Sequence, residues 1–393
     1  MNRLKIFISL VWREVRQFFK NNVAVAVFLV APVAYGILVG NVYKEGKVTG
    51  LPVMVVDLDS SPLSGQLIDA INESEYLQVV QVLRSPQGLK ARMAEGEMLA
   101  VVHIPARFEA DVQQRRHPEI AVDVDAVNML AANYASTGIM RVLGTYNAGF
   151  EINSLQKSGL PAPAAEERFE SFQISMSRFF NPSSNYLQFF YPGMLGTIMQ
   201  QVFMLALALS FAREFDKGTF SELTAVSRNA GVLVFAKSIP YWVFGMGLWF
   251  MVLKLFFPVF NLPALHMGPH FWLLTGLFMA AITFLGIAVS IVLRTQLKAT
   301  EVLMILATPG FILSGYTWPL EQMPVWVQRL ASAIPLTHYL QGFRKLEMYG
   351  ADPATLMPQY RGLAIITAVS LVVAVAALQF KINRKEVAVT AIT

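Results

Sequence analysis

FILSGYTWPLEQMPVWVQRLASAIPLTHYLQGFRKL, residues 311–346, is the stretch on which the reading of this chain turns. An apolar run over 302–313 ends in Ser314-Gly315. Pro319, Pro324 and Pro335 then divide the chain into two short helical pieces, about 321–332 and 337–347, because proline lacks an N–H and clashes with the turn before it. Trp318 and Trp326 fall in the first part, and Arg329, Arg344 and Lys345 add charge. The pattern predicts a segment that rises through a bilayer, breaks at the interface, partly folds back and leaves again. Non-helical backbone at that depth survives only where protein or a water-filled cavity covers it. The stretch therefore reads as the outer end of a pathway. An ordinary loop with interfacial aromatics is the competing reading.

Composition supports a membrane setting. The 393 residues are 55% hydrophobic and only 15% charged, against about 25% charged in a soluble globular protein. Lys+Arg exceed Asp+Glu by 31 to 26. The basic residues cluster at the ends of apolar runs, so the excess points to membrane topology and not to nucleic acid. The absence of cysteine excludes disulfides, thiolate metal sites and cysteine nucleophiles. The five histidines form no HExxH pair, and there is no GxxxxGK[ST] loop. No catalytic or metal-ligating set is expected, and ATP is not bound by a phosphate-cradling loop of this chain.

Residues 1–20 are amphipathic at helical period, with Leu4, Ile8, Val11, Val15 and Phe18 on one side and Lys5, Ser9, Arg13, Arg16 and Lys20 on the other. Such a basic helix lies flat on an anionic membrane face, and it is read as retained. The expected spans are about 23–42 (kinked at Pro32), 192–212, 239–257, 271–293, 300–313 and 363–380, since about 20 apolar residues cross a hydrocarbon core. The fifth is short for a crossing and must continue into the broken segment or stand nearly upright. Lys237 marks the inner edge of the third, with Pro240 in its first turn. Glu301 is expected at the interface. Arg213, Lys217, Arg228, Arg294, Lys298, Lys381, Arg384 and Lys385 make the inner segments basic, whereas the outer loop 258–270 has no Lys or Arg. Both termini are therefore expected in the cytoplasm.

Residues 43–190 differ in kind. Strands are expected over 53–59, 77–82, 99–105 and 119–126, with helices between them, the first capped by Ser60 or Ser61. This is the pattern of a small α/β domain, exported between the first two spans. A long helix, about 130–157, then forms a stalk, and 161–168 is a linker. Asp57, Asp59, Asp123 and Asp125 fall at strand ends, where turn and cap carboxylates are commoner than ligand sites. Gln200 and Gln201 lie mid-span as tentative residues of a substrate path, against the commoner role of bonding a neighbouring helix. The expected fold class is thus a polytopic α-helical membrane protein of six transmembrane helices with an inserted extracytoplasmic α/β domain. Its divisions are 1–20, 21–42, 43–190 and 191–393, the last holding a short helix within 213–228 and the broken segment 314–346.

Few functions suit this layout. The inner segments are too short for a receptor's output domain, and a bilayer enzyme would want intramembrane acids or a metal cluster. A secondary transporter would show inverted repeats and intramembrane charge. A transporter driven by a partner that docks on 213–231 fits best, and an anchored interaction protein is the alternative.

The residues carry a resemblance to the permease subunits of type-2 ATP-binding-cassette exporters, in the subgroup with a large extracytoplasmic domain between spans one and two. It covers essentially the whole chain. It rests on Asn181-Pro182 with Pro192-Gly193, on Arg213-Glu214 with Lys217-Gly218-Thr219 and Glu222-Leu223, and on Ser314-Gly315, Trp318-Pro319-Leu320, Met323-Pro324-Val325-Trp326, Ile334-Pro335-Leu336-Thr337-His338-Tyr339 and Arg344. Val55-Val56-Asp57, Val102-His103-Ile104-Pro105 with Phe108, and Val124-Asp125 with Asn128 match the subgroup's exported domain. Ser227 departs from the family, which often has proline there.

The resemblance implies that two permease subunits pair, as a homodimer or heterodimer, in a bacterial inner membrane. Each receives a separate cytoplasmic ATPase that carries the ATP and Mg, so no cofactor belongs to this chain. Glu214, Phe215, Gly218, Thr219, Phe220, Glu222 and Leu223 would form the coupling helix, with Gly218 permitting a tight approach, the two glutamates meeting basic residues, and Phe220 and Leu223 filling an apolar notch of the ATPase. Trp12, Arg13 and Arg16 would belong to a connecting helix beside it. Ser314, Gly315, Pro319, Met323, Pro324, Pro335 and His338 would belong to the outer gate. The cargo would be a hydrophobic or amphipathic lipid or drug, with sodium or peptide export as the competitor. A periplasmic adaptor and membrane lipids are the further expected partners.

Overall fold

The computed structural model describes residues 3–164, 179–293 and 295–390. Arg294, residues 165–168 of the expected linker and the Lys385 side chain lie outside the described residues. The chain divides into two units, 1–46 with 178–393, and 47–177.

The first unit opens with α1 (Arg3–Phe19). The second helix, α2 (Asn22–Val42), starts at the Asn21 cap and widens into a π-turn over Ala26–Val30. Pro32 follows in the first turn after it. Proline lacks the N–H that a regular α-ladder needs, and a π-turn is one way to absorb that defect.

The described residues between 47 and 164 form a four-stranded sheet flanked by helices. Its elements are β1 (Leu51–Asp57), α3 (Pro62–Asn72), β2 (Leu77–Leu83), α4 (Leu89–Ala94), β3 (Ala100–Ile104), α5 (Phe108–Gln113), β4 (Ala121–Val124) and α6 (Met129–Lys157). The strand order is β2-β1-β3-β4. The first three are parallel, in the register Val55↔Val82 and Val55↔Val102, and β4 pairs antiparallel at the edge with Val102↔Val122. Alternation sends Val53, Val55, Val102 and Ile104 to one face, with Leu67, Ile71, Ala135 and Ile139. Met54, Val56 and Val101 go to the other face, with Leu89 and Met98. The helix cap is Ser61, in a reciprocal capping box with Ser64. Buried Asp57 organises the same turn, accepting from Ser64 Oγ at 2.8 Å and from the Asp59 and Ser60 N–H groups. Asp59 accepts from the Glu109 N–H and Asp125 from the Val127 N–H, while Asp123 meets His103 at 3.0 Å. These four carboxylates serve turns, caps and a cross-strand pair, and no metal-holding group of three or more His, Asp or Glu occurs among the described residues.

The rest of the first unit comprises α7 (Tyr186–Asp216), α8 (Phe220–Val226), α9 (Ala230–Val259), α10 (Pro269–Val292), α11 (Gln296–Ala307), α12 (Gly310–Leu313), α13 (Val325–Ser332), α14 (Pro335–Phe343) and α15 (Met357–Thr390). Among the described residues, six helices are long and apolar enough to cross a membrane, α11 and α12 together counting as one. Two start earlier than their apolar runs suggest. Asn185 caps α7 by accepting from the Gln188 N–H, so Pro192 stands inside the helix. Asn229 caps α9 by accepting from the Val232 N–H, which places Lys237 and Pro240 in its interior and not at its first turn. The fifth span is broken at Thr308-Pro309, a stop that the apolar run 302–313 hides.

Glycines let these helices approach closely, as is usual where both helices already lie in lipid. A Cβ on Gly36 of α2 would strike Phe256 of α9 and one on Gly40 would strike Phe260 just beyond its end, one on Gly245 would strike Phe203 of α7, and one on Gly286 would sit 2.8 Å from Leu207 Cβ. Ser290 of α10 accepts from the Phe211 and Ala212 N–H groups at 2.9 Å and donates to the Ala208 carbonyl. Tyr339 of α14 stacks on Phe278 at 4.2 Å and accepts from Trp249 Nε1 at 2.8 Å, fixing the segment after the break against α9 and α10.

Candidate functional site

The C-terminal end of α7 and the N-terminal part of α9 hold a buried charge cluster. Lys237 Nζ lies 2.6 Å from Glu14 Oε2 of α1 and 3.2 Å from Glu214 Oε1 of α7. The relative exposures are 2%, 1% and 1%. Arg13 reaches the same Glu214 through two N–H groups, at 2.7 and 3.1 Å. Burial alone would lower the Arg13 pKa, but the bond and the field of Glu214 outweigh it and raise it. Tyr241 donates to Glu14 at 3.1 Å, and Thr219 donates to Glu214. Two cations and two anions are thus matched, and every carboxylate oxygen has at least one donor. A buried ion pair is tolerated when its geometry is good and its hydrogen bonds are complete.

This cluster reverses part of the expected face of α1. Leu10, Glu14 and Phe18 turn inward, while Leu4, Ile8, Trp12 and Phe19 are exposed. Both sides of the helix are apolar enough to pack, and the ion pairs of Arg13 and Glu14 select which one does. Arg16 stays outside, its guanidinium 5.6 Å from the Trp12 ring.

The short helix α8 follows directly. Gly218, at φ +72°, ends α7 in the left-handed conformation that favours glycine. A Cβ there would meet nothing within 4 Å, so backbone conformation and not crowding within this chain requires the glycine. Thr219 precedes α8 and is held by Glu214. Three residues expected to face a partner face inward instead. Glu214 is committed to Arg13 and Lys237. Phe220 packs on Phe215 with ring centroids 4.8 Å apart, and Leu223 is buried with it. The amphipathic helix thus buries its apolar side on its own protein. The solvent side carries Ser221, Glu222, Ala225 and Val226.

At the opposite ends of the spans, the broken segment is locked to α7. Gly315, at φ +75°, turns the chain, and Ser314 accepts from the Tyr316 N–H. The Tyr316 hydroxyl donates to the Phe189 carbonyl at 2.7 Å, and Arg344 lies 4.0 Å over the Tyr316 ring while donating to its carbonyl. Gly193 makes room for that ring. Pro319 and Pro324 are exposed at the N-termini of a 3₁₀ turn and of α13, and Pro335 is the first residue of α14. The Met323 carbonyl accepts from Gln328, and His338 Nε2 lies 2.8 Å from the Ser332 carbonyl. Gln200 is fully buried and accepts from the Leu336 N–H at 3.1 Å, tying α7 to the start of α14. Gln201 is exposed on the other side of α7, so the two glutamines do not form one site.

Glu14, Lys237, Tyr241, Tyr316 and Phe189 escaped the sequence reading as site residues. For the first two a signal existed: an acid at the centre of the i, i+4 series Leu10-Glu14-Phe18, and a lysine inside the apolar run 232–239. Each is costly in such a place without the other.

Apolar crossing helices, a short helix between two span ends and a broken segment at the other ends define a multi-pass membrane permease. The family described as ABC-2 family transporter protein matches residues 24–376, and the chain belongs to it. It is 22% identical over 340 residues to the probable multidrug ABC transporter permease YbhR of Escherichia coli, covering 86% of this chain and 89% of that one. It is 25% identical over 344 residues to the inner membrane transport permease YhhJ of the same organism, covering 83% and 86%. With the probable multidrug permease YbhS it shares 26% over 322 residues, covering 77% and 81%.

Proposed function

We propose that this chain is the membrane subunit of an ATP-driven exporter, with six spans, both termini in the cytoplasm of a bacterial cell and residues 47–177 exported between the first and second spans. A separate ATP-binding subunit docks on α8 through Glu222 and its exposed neighbours. Two permease subunits assemble around the path, in the inner membrane. The substrate is a hydrophobic or amphipathic molecule, a lipid or a drug, and an adaptor outside the membrane receives it. That the relatives YbhR and YbhS are described as probable multidrug permeases supports a drug as the substrate.

The observation that carries this reading is the mechanical continuity at α8. Its inner side is buried on the protein, and the Glu214 that holds Thr219 at its start also holds Arg13 of α1 and Lys237 of α9. A displacement of α8 by an ATPase is therefore delivered to α1, α7 and α9 through one rigid cluster. Packed elements of this kind transmit motion by shifting together between discrete arrangements.

The test is co-purification of the tagged full-length chain in mild detergent. The expected result is a stoichiometric ABC-type ATPase whose retention and ATP-driven substrate efflux are both lost in Glu222→Lys. A stable preparation without any ATPase would overturn the reading in favour of an anchored interaction protein. Efflux of sodium or a peptide alone would overturn the substrate class.

A further inference from the structure

Where α1 passes into α2, a cavity of about 450 Å³ opens between the inner ends of three spans. Lys20 lines it from the α1–α2 junction, Arg213 and Lys217 from the end of α7, and Gln17, Thr219 and Gln296 supply neutral polar groups. None of its lining residues is acidic. The Lys20 and Lys217 ammonium groups have no hydrogen-bond or ion-pair partner among the described residues, and Arg213 spends one N–H on Gln17 Oε1 at 2.8 Å. Two carboxylates lie beside the lining and each is engaged, Glu214 also accepting from the lining Thr219. Asp216 accepts from the Gln296 N–H and side-chain amide at 3.0 Å, and Glu214 faces the buried cluster.

Three cations converging on one concave site repel each other unless an anion lies among them. The dipole of α7 favours Lys217 at its C-terminus, but it leaves Lys20 and Arg213 unneutralised. We propose that this cavity is a binding site for a phosphate-bearing anion, held by Lys20, Arg213 and Lys217. Arg213 supplies a planar donor fork and the lysines supply point charges. The level of the site in the membrane favours a lipid headgroup as the source. Basic residues at span ends lie at the cytoplasmic headgroup layer, where anionic lipids concentrate. Val23 is part of the cavity wall, and Val23, Val30 and Ile37, at 66%, 59% and 47% exposure, form an outward stripe down α2 along which an acyl chain can lie. The site does not depend on lipid being the exported substrate, nor on the docking role of α8.

The experiment uses the full-length protein in phosphatidylcholine nanodiscs, titrated with phosphatidylglycerol and, separately, with inorganic phosphate, with bound lipid read by native mass spectrometry. Phosphatidylglycerol is expected to bind in preference to phosphatidylcholine. The preference should fall about fivefold in Lys20→Gln or Lys217→Gln and about 25-fold in the double variant. The double Lys→Arg variant keeps the charge and should keep the preference, which separates loss of the site from loss of the fold. If millimolar phosphate leaves bound phosphatidylglycerol in place, the source is lipid; if it displaces the lipid completely, the source is a free phosphate. Equal retention of the two lipids together with no phosphate binding, or an undiminished preference in the double Gln variant, would overturn the proposal. Neither result bears on whether an ATPase co-purifies.

Discussion

Lys237 of α9 reaches Glu14 of α1 across 2.6 Å, with both side chains inside the protein. A single lysine in an apolar helix therefore anchors a helix that is not itself a span. Removing one partner of a buried pair leaves the other charge without compensation, which costs about 3–5 kcal/mol. Lys237→Met is expected to lose that much stability in detergent denaturation. Lys237→Met with Glu14→Gln removes one charge of each sign and should recover at least half of it. Equal losses in the single and double variants would show that the lysine acts through packing alone.

The two glutamates on either side of the α7–α8 turn separate by the same logic. Glu222 is exposed and Glu214 is buried. Glu222→Lys should leave unfolding unchanged within about 0.5 kcal/mol while abolishing retention of the ATPase. Glu214→Gln should destabilise by about 3 kcal/mol or more, because Arg13 and Lys237 then face no full negative charge from α7. Thermal unfolding and pull-down measured on the same preparations check both. A Glu214→Gln protein as stable as its parent would show that the charge of Glu214 is not what holds Arg13 and Lys237 in the cluster.

How far the sequence led can be judged at these positions. The apolar runs and Pro319, Pro324 and Pro335 made the spans and the broken segment legible, because lipid permits few alternatives to a helix. The strands of residues 47–177 were legible within two residues or so at most ends, since alternation and turn residues repeat there. Helix starts were not. Asn185 and Asn229 cap from within polar stretches that look like loops, and Lys237 looked like an end because its partners sit 223 and 23 residues away. The inward face of α1 was misread for the same reason: Arg13 and Glu14 have value inside only when Glu214 and Lys237 are already there. Long-range pairing of this kind leaves no periodic trace in a single sequence.

Close helix approach gives a sharper packing test. A Cβ on Gly245 would collide with the ring of Phe203, which is itself fully buried. Gly245→Ala should therefore destabilise α9 against α7 by about 1–3 kcal/mol, even though alanine is the better helix former by about 1 kcal/mol. Gly247, two residues on, has nothing within 4 Å, and Gly247→Ala should be neutral or stabilising. Denaturation of the two variants side by side checks the sign as well as the size. Equal behaviour would mean that Phe203 can swing aside.

The last expectation concerns acid. Glu347, in the π-turn Arg344–Met348, lines a cavity of about 160 Å³ walled by Phe257, Leu262 and Phe343. One oxygen accepts from the His266 N–H at 2.7 Å, and the other has no partner. Burial lifts its carboxyl above the ordinary glutamate value, although the His266 N–H and the His266 side chain pull the other way. A raised value means that the fold prefers the protonated acid. Its stabilising contribution is then complete below the unfolded value of about 4.3 and is lost as pH rises through the higher folded value. Stability should accordingly decline over the pH range just above 4.3 and then level off. Glu347→Gln keeps an acceptor for the His266 N–H and stays neutral, so it should be the more stable form at pH 7 and indistinguishable from the parent at pH 4. The check is thermal unfolding of both proteins from pH 4 to pH 8. If the parent is instead the more stable at pH 7, the fold stabilises the carboxylate and its folded value lies below the unfolded one, not above it.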